Sequence, residues 1–434
     1  MPQEIIEARD LGRVQSQKTV LKVPHQQSLA FECPADPLAD PANQLLQRSR
    51  RRRRHPAKAQ PLARRHKHAV AADRLQQARV QFGRDFGAAA YDNVEALCAD
   101  PRVQVVYIAT PHQLHAEHVA LAAAHGKHVL VEKPMAITLA ECTAMMEACA
   151  MAGVHMVVGH SHSFNTPILR TRALIDSGRY GRVKMITTMN FTDFLYRPRR
   201  PEELDTRTGG GVIHSQASHQ IDILRLLGGG LVRSVAAHTG AWDPTRPTEG
   251  AYQALLDFED GAFASASYSG YGHFDSDALM DNIGEMGQAK SPLDYGAARK
   301  RLGQAANAQE ETRLKAARNY GGESYSGIAP VACALTHQHF GQIIVSCEKA
   351  DLRPTAMGID IFGDDQHSFE ALPKPAVPRS EVIDELVSVV LEGQAPLHSG
   401  AWARATTEVC LAILKSARSG SRQAMHFQVG LSGA

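Results

Sequence analysis

Residues 103–141 read VQVVYIATPHQLHAEHVALAAAHGKHVLVEKPMAITLAE. The first eight are a β-branched run, apolar on both faces, as a buried parallel strand requires. Residues 112–125 have helical spacing and stop at Gly126, a residue suited to closing a helix. A second short strand follows at residues 128–131. Thr138-Leu139-Ala140-Glu141 has the form of a capping box, opening a helix that ends near Gly153. With a third strand at residues 154–158, the order is strand–helix–strand–helix–strand. That alternation predicts an N-terminal doubly wound, Rossmann-type α/β domain.

Downstream the pattern changes. Thr166-Pro167 reads as an N-cap with proline at the first helical position, starting a helix that runs to about Gly178. Residues 252–268 are two alternating runs joined at Glu259-Asp260-Gly261, a hairpin. Further strands are expected at residues 232–242 and 357–362, a helical excursion at 290–325, and closing helices at 381–392 and 401–417. The fold class is therefore α/β plus α+β, the second part being an open antiparallel sheet with helices on one face. Four units are expected: an atypical basic segment at 1–78, the remainder of a dinucleotide-binding domain at 79–160, the sheet domain at 161–375, and C-terminal helices at 376–434. An uncovered sheet face predicts a homo-oligomer.

The chain has 434 residues, enough for two domains with cores of their own, and its 44% hydrophobic and 21% charged residues are those of an ordinary globular protein. No stretch approaches a membrane span, and residues 1–10 lack an apolar run of signal-peptide length. Seven scattered cysteines without a Cys-x-x-Cys pair argue against a disulfide framework or a zinc site, and for a reducing cytoplasm.

Three features carry chemistry. Glu132-Lys133-Pro134 sits at the carboxyl end of a predicted parallel strand, where open α/β sheets bind their ligands. Ala109-Thr110-Pro111, followed by His115, forms the preceding strand-to-helix turn, with small residues that let a flat ring approach the backbone. Gly209-Gly210-Gly211 precedes a helix at residues 214–227 on which Ser215, His219 and Asp222 share a face. A histidine with a hydroxyl and a carboxylate on one stripe suits a proton relay.

The order and spacing of these blocks resemble the glucose–fructose oxidoreductase/inositol dehydrogenase (Gfo/Idh/MocA) family, from about Val80 to Arg418. Within it, four segments are most similar to the phthalate 4,5-dihydrodiol dehydrogenases: YIATPHQLHAEH (107–118), DFLYRPRRPEEL (193–204), GGGVIHSQASHQIDILRLL (209–227) and RPTEGAYQALLDFEDGAFASASYSGYGHFDSD (246–277). The resemblance implies an NAD(P)-dependent dehydrogenase with Lys133 beside the nicotinamide and His219 from the second domain. It places Ala109, Thr110, Pro111, His115, Glu132, Lys133 and Pro134 on the cofactor side. Many members have Asp where this chain has Ser215, which weakens a sugar or inositol dehydrogenase reading and suits the phthalate-type branch. That branch implies oxidation of a phthalate cis-4,5-dihydrodiol to 4,5-dihydroxyphthalate in aromatic-acid catabolism. Lys133 and His219 would share the hydroxyl proton, with the acceptor unassigned. Two substrate carboxylates call for Arg197, Arg199 and Arg200, whose planar forks bind carboxylate bidentately on a proline-stiffened loop. His160, His162, Ser215 and Asp222 would line the substrate pocket, and no metal is implied.

The N-terminal segment breaks this pattern. Residues 41–72 hold ten Arg and Lys and no acid, while the remainder has 37 basic against 45 acidic residues. A nucleic-acid arm is the weaker reading of such a run, since no aromatics are interleaved. No Gly-x-Gly-x-x-Gly occurs before residue 78, and no residue there identifies NAD over NADP. A catalytically impaired binding protein of the same fold is the rival this raises. Composition rich in Arg, His, Pro and Ala, in the space of a first βαβ unit, points to a reading-frame disruption upstream of about residue 78. Residues 14–74 would then bury no core.

Overall fold

Alternation within three parallel strands sorts their side chains onto two faces, and each face has its own cover. Val103–Ile108, His128–Val131 and Met156–Val158 pair in parallel in that order. Val129, Val131, Val106 and Ile108 point to one face, where the helices His115–Ala124 and Leu139–Ala152 pack on them. Leu130, Val157, Val105 and Tyr107 point to the other, where Val382, Ile383, Leu386 and Val389 of the late helix Ser380–Glu392 close the layer. Each such aliphatic side chain contributes roughly 1.5–3 kcal/mol when fully buried. The computed structural model describes residues 8–10, 19–21, 70–73, 76–325 and 336–431.

Local signals behave as chemistry dictates. Thr138 accepts from the Glu141 amide while the Glu141 carboxylate takes the Thr138 amide, so the capping box forms in full. Gly153 follows in the left-handed conformation at φ 66°. The Thr166–Pro167 helix start is displaced by one residue: Asn165 is the N-cap of Thr166–Asp176.

The second domain is a nine-stranded sheet. From one edge its order is His367–Ala371, Gly358–Gly363, Ala350–Pro354, Gln342–Cys347, Val183–Phe191, Phe263–Ser269, Ala251–Phe258, Val232–Gly240 and Gln423–Ala424. The hairpin around Glu259-Asp260-Gly261 is present. The sheet is not wholly antiparallel as expected, because Val183–Phe191 runs parallel to Phe263–Ser269. One face packs on the helices Thr166–Asp176, Ser218–Leu227 and Gly400–Ser419. Among the described residues the other face has no cover and exposes Met185, Leu255 and Phe263. The excursion at 290–325 contains two short helices, Ala297–Leu302 and Ala308–Ala317. Among the described residues no helix is long and apolar enough to cross a membrane.

Two expectations about the N-terminal segment need correction. Val70–Ala72 is a strand pairing in parallel with Ala89–Tyr91, and the helix Gln76–Phe86 runs across the boundary drawn at residue 78. Thr19–Leu21 lies parallel to Val103–Ile108 and pairs with Ala8–Asp10, so parts of the segment expected to bury no core extend the sheet. The basic run at residues 48–67 lies outside the described residues.

Candidate active site

The two domains meet where the parallel strands end. Lys133 follows the strand His128–Val131, and the Lys133–Pro134 peptide is cis. Its ammonium is half-buried and donates to the Ser215 carbonyl at 3.0 Å. Ser215 lies in a π-helical turn, Ile213–Ala217, that opens the helix Ser218–Leu227. A π turn bonds to the fifth residue and widens the coil, a geometry common at functional sites. Here it presents a main-chain carbonyl to the other domain. The glycine turn before it is obligatory: Gly211 has φ +81°, and a side chain there would collide with the Glu249 carboxylate. Burial pushes the Lys133 pKa below the usual lysine value, helped by Arg379 and Arg199 and opposed by Glu132 and Glu285.

His219 stands beside this lysine. Its ring packs edge-on against His162, with 4.8 Å between centroids, and tilts against Phe340 at 5.1 Å. The buried Nδ1 has no hydrogen-bond partner among the described residues. Burial, and then the charge of Lys133 and the neighbouring histidines and Arg379, hold the imidazole well below its ordinary pKa of 6.5. It is therefore neutral at pH 7. His162 donates from Nε2 to Glu285 at 3.1 Å and accepts at Nδ1 from Asn165 at 2.9 Å, so it too is neutral with a defined tautomer. Burial raises Glu285, but the hydrogen bond from His162, with Arg197 and His339, outweighs it and leaves its pKa at about 2. Among the described residues neither ring nitrogen of His160 has a hydrogen-bond partner.

Ala109, Thr110 and Pro111 line a cleft shared with Gly209, Ser215 and Arg200. Other expected contacts are engaged elsewhere. His115 is fully buried, with Nε2 2.9 Å from the Thr110 carbonyl and Nδ1 3.0 Å from that of Pro134. It braces the two loops against each other instead of facing the cleft. Thr110 Oγ1 is 3.0 Å from His118 Nδ1. Glu132 accepts from the Tyr107 hydroxyl.

The arginine loop is likewise committed to neighbouring acids. Arg197 donates to Asp193 at 2.9 Å, and Arg200 pairs with Glu202 at 2.8 Å. Arg199 lies over the Phe194 ring at 3.6 Å, donates to the Phe194 carbonyl at 2.9 Å and approaches Glu203 at 3.7 Å. Burial lowers the Arg199 pKa to about 10. Each of the three guanidiniums thus has an acid within 4 Å, although the buried Nε of Arg199 and of Arg200 makes no hydrogen bond among the described residues.

Asp222 does not hold His219. Its carboxylate accepts from Trp402 Nε1 at 2.6 Å and Thr406 Oγ1 at 2.7 Å, and also from the Ser161 and Ser163 hydroxyls. Thr406 in turn accepts from the fully buried Arg225 at 2.9 Å. Asp222 thus ties the Ser218–Leu227 helix to Gly400–Ser419. Replacing it with Ala strands the buried Trp402 Nε1 and removes the acceptor shared by Thr406, Ser161 and Ser163, and we expect a loss of about 3–5 kcal/mol in stability. Urea unfolding monitored by Trp fluorescence checks this; a loss below about 1 kcal/mol would remove Asp222 from the structural role.

Several site residues escape the sequence. Asp73, 3% exposed, follows the strand Val70–Ala72. Its signal, Val-Ala-Ala-Asp, is three strand residues beside a basic run. Glu285 lies in a Gly-Glu-Met-Gly turn that reads as surface. Arg379 ends a Pro-rich linker, and Phe340 and Gln338 precede a strand. Among the described residues no three His, Cys, Asp or Glu side chains gather as metal ligands.

This arrangement has counterparts. A model of the oxidoreductase family with an NAD-binding Rossmann fold, GFO/IDH/MocA, matches residues 49–160, and one of the GFO/IDH/MocA C-terminal domain matches residues 168–290. The 1-carboxy-3-chloro-3,4-dihydroxycyclohexa-1,5-diene dehydrogenase of Comamonas testosteroni is 47% identical over 340 residues, 78% of this chain and 85% of that protein. A solved structure from Bordetella bronchiseptica RB50 is 39% identical with a TM-score of 0.77, over 82% of this chain and 92% of that one. The WlbA dehydrogenase of Bordetella pertussis, solved with NADH and UDP-GlcNAcA, shares the fold at 20% identity and a TM-score of 0.56, over 82% of this chain and 90% of that one.

Proposed function

Because the chain belongs to the Gfo/Idh/MocA family of NAD-binding oxidoreductases, we propose that it oxidises a carboxylated cyclohexadiene cis-dihydrodiol, of the phthalate 4,5-dihydrodiol type, to the corresponding catechol. One observation carries this reading: Lys133, bonded across to the Ser215 carbonyl, lies within electrostatic reach of a neutral His219, beside a cleft lined by Ala109, Pro111 and Ser215. The likeness to a dehydrogenase of a carboxylated cyclohexadiene diol supports the substrate class.

The residues present fit the nicotinamide end of NAD: small Ala109 and Pro111 flank a cleft that Ser215, the residue whose carbonyl holds Lys133, also lines. Bound there, the nicotinamide supplies the hydride acceptor. The Lys133 ammonium, anchored on the Ser215 carbonyl, donates to the reacting hydroxyl oxygen and stabilises negative charge on it. The His219 imidazole accepts the hydroxyl proton, since a neutral ring has the lone pair that an ammonium lacks. Carbon loses a hydride and oxygen a proton, so the alcohol becomes a ketone. The resulting hydroxy-dienone enolises to the aromatic catechol, which draws the reaction forward. His162 and Glu285 hold the far side of His219.

Asp73 would take the ribose hydroxyls and repel a 2′-phosphate, which favours NAD over NADP. A second copy of the chain would cover the exposed sheet face around Met185, Leu255 and Phe263. The test is nicotinamide reduction followed at 340 nm with phthalate cis-4,5-dihydrodiol, inositol and glucose in turn. Turnover of the dihydrodiol, with kcat/KM for NAD at least about 10-fold above NADP and a narrower ratio in Asp73→Ser, is expected. Turnover of inositol or glucose but not the dihydrodiol would overturn the proposal.

A further inference from the structure

A carboxylated substrate needs a cation that the protein has not already neutralised. The arginine loop offers none, because each of its guanidiniums meets an acid. Arg379 differs. It immediately precedes the helix Ser380–Glu392, in the left-handed backbone region at φ 61°. Its Nε donates to Gln338 Oε1 at 3.2 Å, and a second nitrogen lies 3.3 Å from the Met286 sulfur. Neither partner is anionic, and among the described residues no carboxylate pairs with it.

Hydrogen bonds place this guanidinium at the catalytic cluster. Asn165 Nδ2 donates to the Gln338 carbonyl at 3.0 Å and also meets His162 Nδ1, whose ring packs on His219. Met286 adjoins Glu285, the acceptor from His162 Nε2. The charge on Arg379 accordingly acts on Lys133, His160, His162 and His219, lowering each. Glu285 is the acid nearest along this chain of contacts, and its carboxylate is already engaged by His162.

Gln338 sharpens the case. Arginine can only donate, so Gln338 must turn its Oε1 toward Arg379, which fixes the amide. The other end, Nε2, is then a buried donor with no partner, on a residue 7% exposed. An uncompensated guanidinium beside an unsatisfied amide N–H is a donor set lacking its acceptor, and burying such a donor is costly unless a ligand satisfies it. We infer that Arg379 and Gln338 form the subsite for a ring carboxylate of the substrate, next to the reacting diol. This rests on the dihydrodiol reading above and adds the group that selects for acidic rings.

The experiment pairs calorimetry with kinetics on the full chain. Phthalate and catechol are titrated into wild type, Arg379→Met, Arg379→Lys and Gln338→Leu in the presence of NADH. Loss of a charge-assisted hydrogen bond should weaken phthalate binding about 10-fold or more in Arg379→Met, less in Arg379→Lys and Gln338→Leu. Catechol affinity serves as the control for an intact cleft. In parallel, kcat/KM is compared for phthalate cis-4,5-dihydrodiol and the uncharged benzene cis-dihydrodiol. The ratio of the two should fall at least about 10-fold in Arg379→Met. Phthalate bound equally by wild type and Arg379→Met, or not bound by wild type, overturns the subsite. Absence of dihydrodiol turnover in wild type that still binds phthalate through Arg379 overturns the reaction and leaves the subsite standing.

Discussion

Lys133→Met lowers kcat by about 10²- to 10⁴-fold, the range for removing a group that assists proton transfer, while leaving the protein folded. The ammonium donates to the Ser215 carbonyl from a half-buried position, and its pKa is below that of a free lysine because burial disfavours the charge. As pH rises through that lowered value the ammonium is lost and with it the donor to the reacting oxygen. The wild type should therefore show an alkaline limb in kcat below pH 10.5, and Lys133→Met should lack it. The acid limb belongs to His219, whose depressed pKa keeps the acceptor neutral below pH 6.5. His219→Ala should remove that limb and cost a comparable factor in rate. The double variant should lose far less than the product of the single losses, as expected of groups acting on one proton. Retention of more than about a third of kcat in Lys133→Met would exclude the lysine from the proton transfer.

The second large effect is on stability. Burial first of all lowers the pKa of His112, His115, His160, His162, His214 and His219 below 6.5, with His214 at about 4. In the unfolded chain each takes a proton near pH 6.5; in the folded chain each does so only at lower pH. Between those values the unfolded state binds more protons, so stability falls as pH falls and is level above 6.5 on their account. Each group contributes up to about 1.4 kcal/mol per pH unit, and six together at most about 8. Total stability of a domain is only about 5–15 kcal/mol. Melting temperature should hence drop steeply between pH 6.5 and 5, well before carboxylates titrate. A flat melting profile down to pH 5 would show that these imidazoles protonate without unfolding.

How much of this the sequence discloses depends on how local the cause is. The strand His128–Val131, the capping box at Thr138 and the hairpin at Asp260-Gly261 depend on a few consecutive side chains and were legible. The spacing of their blocks singles out Lys133 and His219, and the fold brings the charge of the lysine within reach of the imidazole. Asp222 was placed in the site because a helix stripe put it near His219, yet its partners Trp402 and Thr406 are 180 and 184 residues away. The π turn at Ile213–Ala217 leaves no mark in hydrophobic period, so Ser215 was assigned a side-chain role where its carbonyl acts. The pairing of the loop arginines with Asp193, Glu202 and Glu203 depends on how the loop turns, which consecutive residue types do not disclose. Arg379 and Gln338 meet only when a linker, a strand lead-in and the Glu285 turn fold together.

The placement of Ser380–Glu392 on the parallel sheet has a consequence for synthesis. Strands complete by Val158 have one face, with Tyr107, Leu130 and Val157, that stays bare until this helix has been made. At about 5–20 residues per second the interval on the ribosome is on the order of 10–50 s. During that time a nascent chain presents an apolar sheet surface to chaperones and to other nascent chains. Vectorial folding of the first domain therefore cannot finish from its own end, and a message truncated before residue 380 yields an aggregating product, not a shorter nucleotide-binding module.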